Sequence, residues 1–173
     1  MKTTTGLIRR IDELGRVVIP KEIRRSMRLK DGEEVEISLG SEELILKKYS
    51  RVSSLKSLCD NCANSLSKVL GAEVFITDTS KVVSSFKNID NENKNLTHRF
   101  IEFLQKRERA INKGEDCLSM FIGQEKGKEQ LILPLVVNGD LYGSIVVQAD
   151  EIKTQHEKAT QTALYILVGQ LEN

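Results

Sequence analysis

The stretch Asp12-Glu13-Leu14-Gly15-Arg16-Val17-Val18-Ile19-Pro20-Lys21-Glu22-Ile23-Arg24-Arg25 decides how the first part of this chain folds. Three β-branched residues in a row, Val17, Val18 and Ile19, predict a short strand. Pro20 ends it and suits the first turn of a helix, where a missing N–H costs nothing. Within the helix that follows, Ile23 and Met27 lie four apart on one face, and Arg24, Arg25 and Arg28 fall toward the others. Upstream, residues 6–11 (GLIRRI) predict a strand. DELG then makes a turn in which Gly15 is free to take a positive φ. Downstream, KDGEE is a turn. VEISL (35–39) directs Val35, Ile37 and Leu39 inward, and LILKK (44–48) returns as its hairpin partner. Four short strands and one short helix in about fifty residues bury too little core to stand alone. Strands interleaved with those of a second chain are the expected remedy.

Charge is polarised along the chain. The 173 residues carry a net charge of only +1. Residues 1–30, however, hold nine basic against three acidic side chains, and residues 31–50 hold two basic against six acidic. This pattern fits a local anion-binding surface better than a basic tail. The candidates are arginines. Arg9 and Arg10 are strand neighbours that point to opposite faces, Arg16 leaves the turn, and Arg24 and Arg25 leave the helix. The competing use of one or two of them is an ion pair with Asp12, Glu13 or Glu22. An arginine makes two parallel hydrogen bonds to a phosphate or a guanine edge. Aromatic residues make up 5% of the chain and Trp is absent, which disfavours single strands held by base stacking. Duplex DNA is the better partner.

Beyond residue 50 the pattern changes. SRVSSL is a short polar connection running into a helix with Val52, Leu55, Leu58, Cys59, Cys62, Leu66, Val69 and Leu70 at helical spacing, stopped by Gly71. EVFIT and KVVSSF are strands around a DTS turn, and NIDNENKN is a polar loop. LTHRFIEFLQKRERAI has Phe100, Phe103, Leu104 and Ile111 in helical register. Three strands follow: CLSMFI, QLILPLVV and LYGSIVVQ. Asn138-Gly139 joins the last two as a tight hairpin. A helix from about Glu151 to Leu171 closes the chain, with Ile152, Ala159, Ala163, Ile166, Leu167 and Leu171 on its apolar side. The order α-β-β-α-β-β-β-α describes an α+β domain with an antiparallel sheet. The expected organisation is residues 1–50 as one unit, 51–55 as a short linker and 56–173 as the second.

Several chemistries find no support. MKTTTGLIRR has no apolar stretch of a secretory signal, and LILPLVV is far too short for a membrane span, so a cytoplasmic chain without a membrane partner is expected. Cys59, Cys62 and Cys117 are then reduced thiols. Cys59 and Cys62 form half a zinc site at most, and small residues packed on a helix face explain them better. His156-Glu157 starts like a metalloprotease motif, but position 160 is Thr. No phosphate loop or activated nucleophile occurs. The chain is expected to be no enzyme and to hold no metal, and no residues single out a cofactor.

With these residues in place, GLIRRIDELGRVVIPKEIRRSMRL and VEISLGSEELILKKY resemble the AbrB-type DNA-binding domain of transition-state regulators. The resemblance covers residues 1 to about 50 almost without a break. It implies an interleaved, swapped-hairpin β-barrel formed by a dimer, all-β-rich with one short helix. By position it implies DNA contacts from Arg9, Arg16, Arg24 and Arg25. Arg10 falls at a basic position that is Lys in some members, and Lys21 stands where the transition-state regulator has an apolar residue. The family's loosely defined A·T-rich sites imply readout of shape and deformability as much as of base edges. LILPLVVNGDLYGSIVVQ resembles the closing strands of GAF sensory domains, over about residues 53–173. An AbrB-like head on a GAF-like tail is similar to sporulation regulators of spore-forming bacteria. That implies a tetramer, assembled through the GAF-like domain, which activates and represses genes in the forespore. Two roles stay open for that domain: small-molecule sensing, and pairing of its terminal helices with another subunit. The alternative reading is an AbrB-headed antitoxin that binds a toxin and its own operator. Its disordered acidic tail is unlike the apolar pattern here.

Overall fold

In a computed structural model of the chain, residues 6–27, 29, 31–86, 95–124 and 127–172 are described. The chain divides into two compact units, Met1–Tyr49 and Ser50–Asn173.

In the first unit, helix α1 (Lys21–Ser26) starts directly after Pro20, which sits one position earlier than expected, at the N-cap, with ψ 148°. The Pro20 carbonyl accepts from Arg24 N at 3.0 Å, so the ring that stops the strand also starts the helix. Strands β1 (Val35–Leu39) and β2 (Leu44–Lys48) form the expected antiparallel hairpin, with Val35 opposite Lys48 and Leu39 opposite Leu44. Residues 6–11 and 16–19, expected as strands, carry no strand assignment. A β-strand needs a hydrogen-bonded neighbour along its length. Among the described residues, the only ladder-like backbone bond beside these runs is from Asp12 N, just past the first, to Arg16 O at 3.1 Å. The inward alternation expected of β1 also fails within the chain, since Ile37 and Leu39 are exposed, Leu39 at 84%. Pro20 aside, every described residue of this unit is exposed or half-buried.

The second unit has its own core. Helices α2 (Arg51–Ser54) and α3 (Lys56–Leu70) precede strands β3 (Glu73–Thr77) and β4 (Val82–Ser85). Helix α4 (His98–Leu104), strands β5 (Ala110–Asn112), β6 (Glu129–Val137) and β7 (Asp140–Ala149), and helix α5 (Thr154–Leu171) follow. The strands make one antiparallel sheet in the order β4-β3-β7-β6-β5. On one face, Val52, Cys59, Ala63, Leu66, Ala163 and Leu167 of α2, α3 and α5 pack on Val74, Ile76, Leu133 and Ile145. On the other, Phe100 and Leu104 of α4 join Leu118, Met120 and Phe121 over Phe75, Ile132 and Val146. Period-2 burial on both faces makes these strands apolar on both sides.

Local chemistry explains several boundaries. Gly71 ends α3 in the left-handed region, φ 60°, as a residue without a Cβ does most readily. Asn138 and Gly139 both have positive φ, 49° and 86°, the geometry of a two-residue turn that matches strand twist. Pro134 lies inside β6, yet β5 pairs only with Gln130–Ile132, so Pro134 needs no donor on that side.

Three further expectations change. Residues 51–55, expected as a short linker running into the first helix, are already helical over Arg51–Ser54, with Val52 buried in the core. The α4 helix stops at Leu104 instead of running on to Ile111. Arg107 takes φ 59°, a conformation that breaks a helix, and Ile111 pairs with Leu131 in β5. Val69 and Ile166, expected on apolar helix faces, are exposed. The NIDNENKN loop lies outside the described residues, apart from Asn95.

CLSMFI (117–122) is not a strand. Its alternation is genuine, because Leu118 and Met120 are buried. In place of a ladder, the buried Gln130 side chain accepts from Leu118 N at 3.1 Å and donates to Leu118 O at 3.0 Å. One amide side chain thus supplies both hydrogen bonds of a missing strand neighbour. Gln130→Leu would leave a buried N–H and C=O unpartnered, at about 1–3 kcal/mol each. A loss of about 2 kcal/mol or more is expected in urea unfolding, with faster amide exchange at Leu118. Unchanged stability would remove Gln130 from this role.

Candidate nucleic-acid interface

The turn that leads into Arg16 is built by Asp12. Gly15 N donates to Asp12 O at 2.9 Å, and Gly15 has φ 74°. The Asp12 carboxylate accepts Leu14 N at 3.0 Å and Arg16 N at 2.8 Å on one oxygen. Its second oxygen accepts Arg16 Nε at 2.7 Å. The backbone N–H and then the side chain of Arg16 hold this carboxyl below the usual carboxylate range, because they stabilise its charged form. The pairing anticipated as a competing use of one arginine is therefore present at Arg16.

All five candidate arginines are exposed. Arg9 donates through Nη1 to Ile8 O at 3.1 Å. Arg24 reaches Asp31 at 3.2 Å, in a pair with both partners well solvated, which contributes little stability. No described residue is bonded to the Arg10 or Arg25 guanidinium. Arg24 and Arg25 occupy the last turn of α1 and Glu22 the first, the arrangement a helix dipole favours. No side chain of α1 is buried, so the helix holds its arginines without using them for packing. The residue that the sequence reading passed over is Asp12, weighed only as a competing charge. The D-x-x-G-R spacing is its signal, since an Asp can cap the N–H groups two and four residues on.

The second unit offers a different picture. The face under α4 is filled by Phe100, Met120 and Phe121, with the Phe75 and Phe121 rings edge to face at 5.8 Å. Cys59 is buried and its Sγ lies 3.7 Å from Val52 O. Burial pushes its thiol up to about 12, which leaves it a packing residue and a poor nucleophile. Cys117 Sγ lies 3.3 Å from Asn112 O and 3.2 Å from Lys128 O, two acceptors for its single S–H, at the end of β5 and just before β6. His156 is buried at the start of α5, where Nδ1 accepts from Lys153 N at 2.9 Å and the backbone oxygen accepts from Thr160 at 2.6 Å. Among the described residues there is no group of three His, Cys, Asp or Glu side chains fit to hold a metal ion. None of their helices is long and apolar enough to cross a membrane.

Comparison with known proteins agrees with this two-part organisation. Residues 54–172 match the family model described as "Stage V sporulation protein T C-terminal, transcription factor". Residues 8–54 match that of "Antidote-toxin recognition MazE, bacterial antitoxin". Stage V sporulation protein T of Bacillus subtilis is 36% identical over 174 residues, covering 97% of this chain and 98% of that protein. The transition state regulatory protein AbrB of the same organism is 50% identical over 46 residues, 27% of this chain and 48% of AbrB. Among solved structures, the cofactor-binding GAF domain of the nutrient sensor CodY from Clostridium difficile superposes with a TM-score of 0.51 at 17% identity. It covers 63% of this chain and 81% of that one, and at that identity the likeness concerns the fold alone. An AbrB-like first unit and a GAF-like antiparallel sheet thus lie on one chain, matched almost end to end by a single relative. The chain belongs to the stage V sporulation protein T family of transcription factors.

Proposed function

We propose that this protein is a duplex-DNA-binding regulator of sporulation genes, acting as both activator and repressor in the cytoplasm of the forespore. Arg9, Arg10, Arg16, Arg24 and Arg25 of each first unit contact DNA, and A·T-rich sites are preferred for their shape. The observation that carries this reading is the combination of exposed arginines with an uncovered apolar surface. Ile8 (90%), Val18 (77%) and Leu39 are all open to solvent in the single chain. So many exposed apolar side chains on so small a unit call for a partner surface. A second copy that pairs with residues 6–11 and 16–19 would supply both the missing strand neighbours and the missing core. The GAF-like unit joins dimers into a tetramer, so that the second DNA contact becomes nearly intramolecular. It also offers a fold on which a small molecule can act.

The test is a titration of A·T-rich duplex at several salt concentrations, with native mass of the free protein. The expected result is a tetramer whose log affinity falls steeply and linearly with log salt. Six to ten phosphate contacts would lose on the order of 10³–10⁵ in affinity between about 50 and 200 mM. A flat plot sinks the DNA reading, and a monomer sinks the assembly. The second reading, an antitoxin, draws on the match of residues 8–54 to the MazE model. The folded second unit counts against it, and co-purification of a toxin would favour it.

A further inference from the structure

We infer that Asp12 is a positioning residue for DNA binding, orienting Arg16 by holding its Nε while the two Nη nitrogens remain free to grip a phosphate. The inference rests on the DNA-binding reading and adds a residue of the opposite charge to it. An acidic side chain within a surface meant for phosphate is unfavourable by charge alone. Three hydrogen bonds accepted by one carboxylate offset that: from Leu14 N and Arg16 N on one oxygen, from Arg16 Nε on the other. An exposed arginine otherwise samples many rotamers, and ordering it on binding costs free energy. Here the turn closes on Gly15 and Arg16, and the same carboxylate that shapes the turn holds the guanidinium. Arginine has five N–H donors, of which only Nε is engaged among the described residues; the four on the Nη nitrogens suffice for a bidentate phosphate contact. A lysine at this position has one nitrogen to serve both partners.

The charge of Asp12 gives the test its discriminating sign. If Asp12 were only a neighbouring negative charge, Asp12→Ala would tighten DNA binding. As a positioning residue, Asp12→Ala is expected to weaken it by about tenfold, the scale of one charge-assisted hydrogen bond. In an Arg16→Ala background, Asp12→Ala should weaken nothing further, because the residue it positions is gone. Asp12→Asn keeps an acceptor for the turn and should fall between wild type and Asp12→Ala. The measurements are duplex titrations of the full chain at one salt concentration, with native mass to confirm assembly. Binding by Asp12→Ala as tight as wild type, or equal weakening in both backgrounds, overturns the inference. NMR of the wild type needs no variant: the Arg16 Nε–Hε signal should exchange with water more slowly than those of Arg10 and Arg25. Equal exchange also overturns it. Loss of all DNA binding by the wild type itself would remove the functional reading and this inference together. A failure confined to Asp12 leaves the functional reading standing.

Discussion

Replacing Arg24 and Arg25 together by alanine should abolish retention of duplex DNA near physiological salt and leave the native mass unchanged. Each charge-assisted hydrogen bond to phosphate is worth about 1.5–3 kcal/mol, so two lost contacts per chain reduce affinity by roughly 10²–10⁴. A dimer loses both pairs at once. The fold should not suffer. No residue of α1 is buried, alanine is at least as good a helix former as arginine, and the solvated Arg24–Asp31 pair adds little. The slope of log affinity against log salt should become shallower by about one for each phosphate contact removed. A double variant that assembles and still retards DNA with the wild-type slope would move the interface away from α1.

The second large effect is expected at Gly143. A Cβ built there lies 1.9 Å from Thr77 O and 2.9 Å from Thr77 C. Thr77 and Ser144 are register partners of β3 and β7, next to the irregularity between Ile76 and Thr77. Their hydroxyls share a buried hydrogen bond of 2.8 Å. The clash is backbone against added carbon in the middle of the sheet, where no side chain can swing aside. Overpacking costs about 1–3 kcal/mol where side chains can adjust, so Gly143→Ala should cost about 3 kcal/mol or more. Its melting temperature should fall by roughly 10 °C in a domain of this size. Gly169→Ala on α5 is the control. Its added Cβ meets nothing within 4 Å, and helix propensity favours alanine by about 0.5–1 kcal/mol. Equal stability of the two variants would mean that β3 and β7 give way more easily than their geometry implies.

Elements specified by neighbouring residues were legible. The β6–β7 hairpin follows from Asn138-Gly139 between two apolar runs, and the end of α3 from Gly71. The start of α1 follows from Pro20, within one position. Where a residue's structure depends on a distant partner, pattern misled. Ile111 continues the helical spacing of Phe103 and Leu104, yet it joins a strand because β6 lies beside it. Residues 117–122 alternate like a strand, but a glutamine from β6 takes the ladder's place. The arginines were visible as a charge-polarised set, whereas the bond that holds Arg16 appeared only with the turn closed.

By itself the sequence determined the two-part organisation and the antiparallel character of the second unit. These rest on local periodicity, turn chemistry and charge, which act over a few residues. Only tertiary structure decided which strand lies beside which and that Gly143 must lack a Cβ. The reason is that hydrogen-bond partners and close approaches between residues tens of positions apart depend on the whole packed chain. No short window of sequence contains both sides of such a contact.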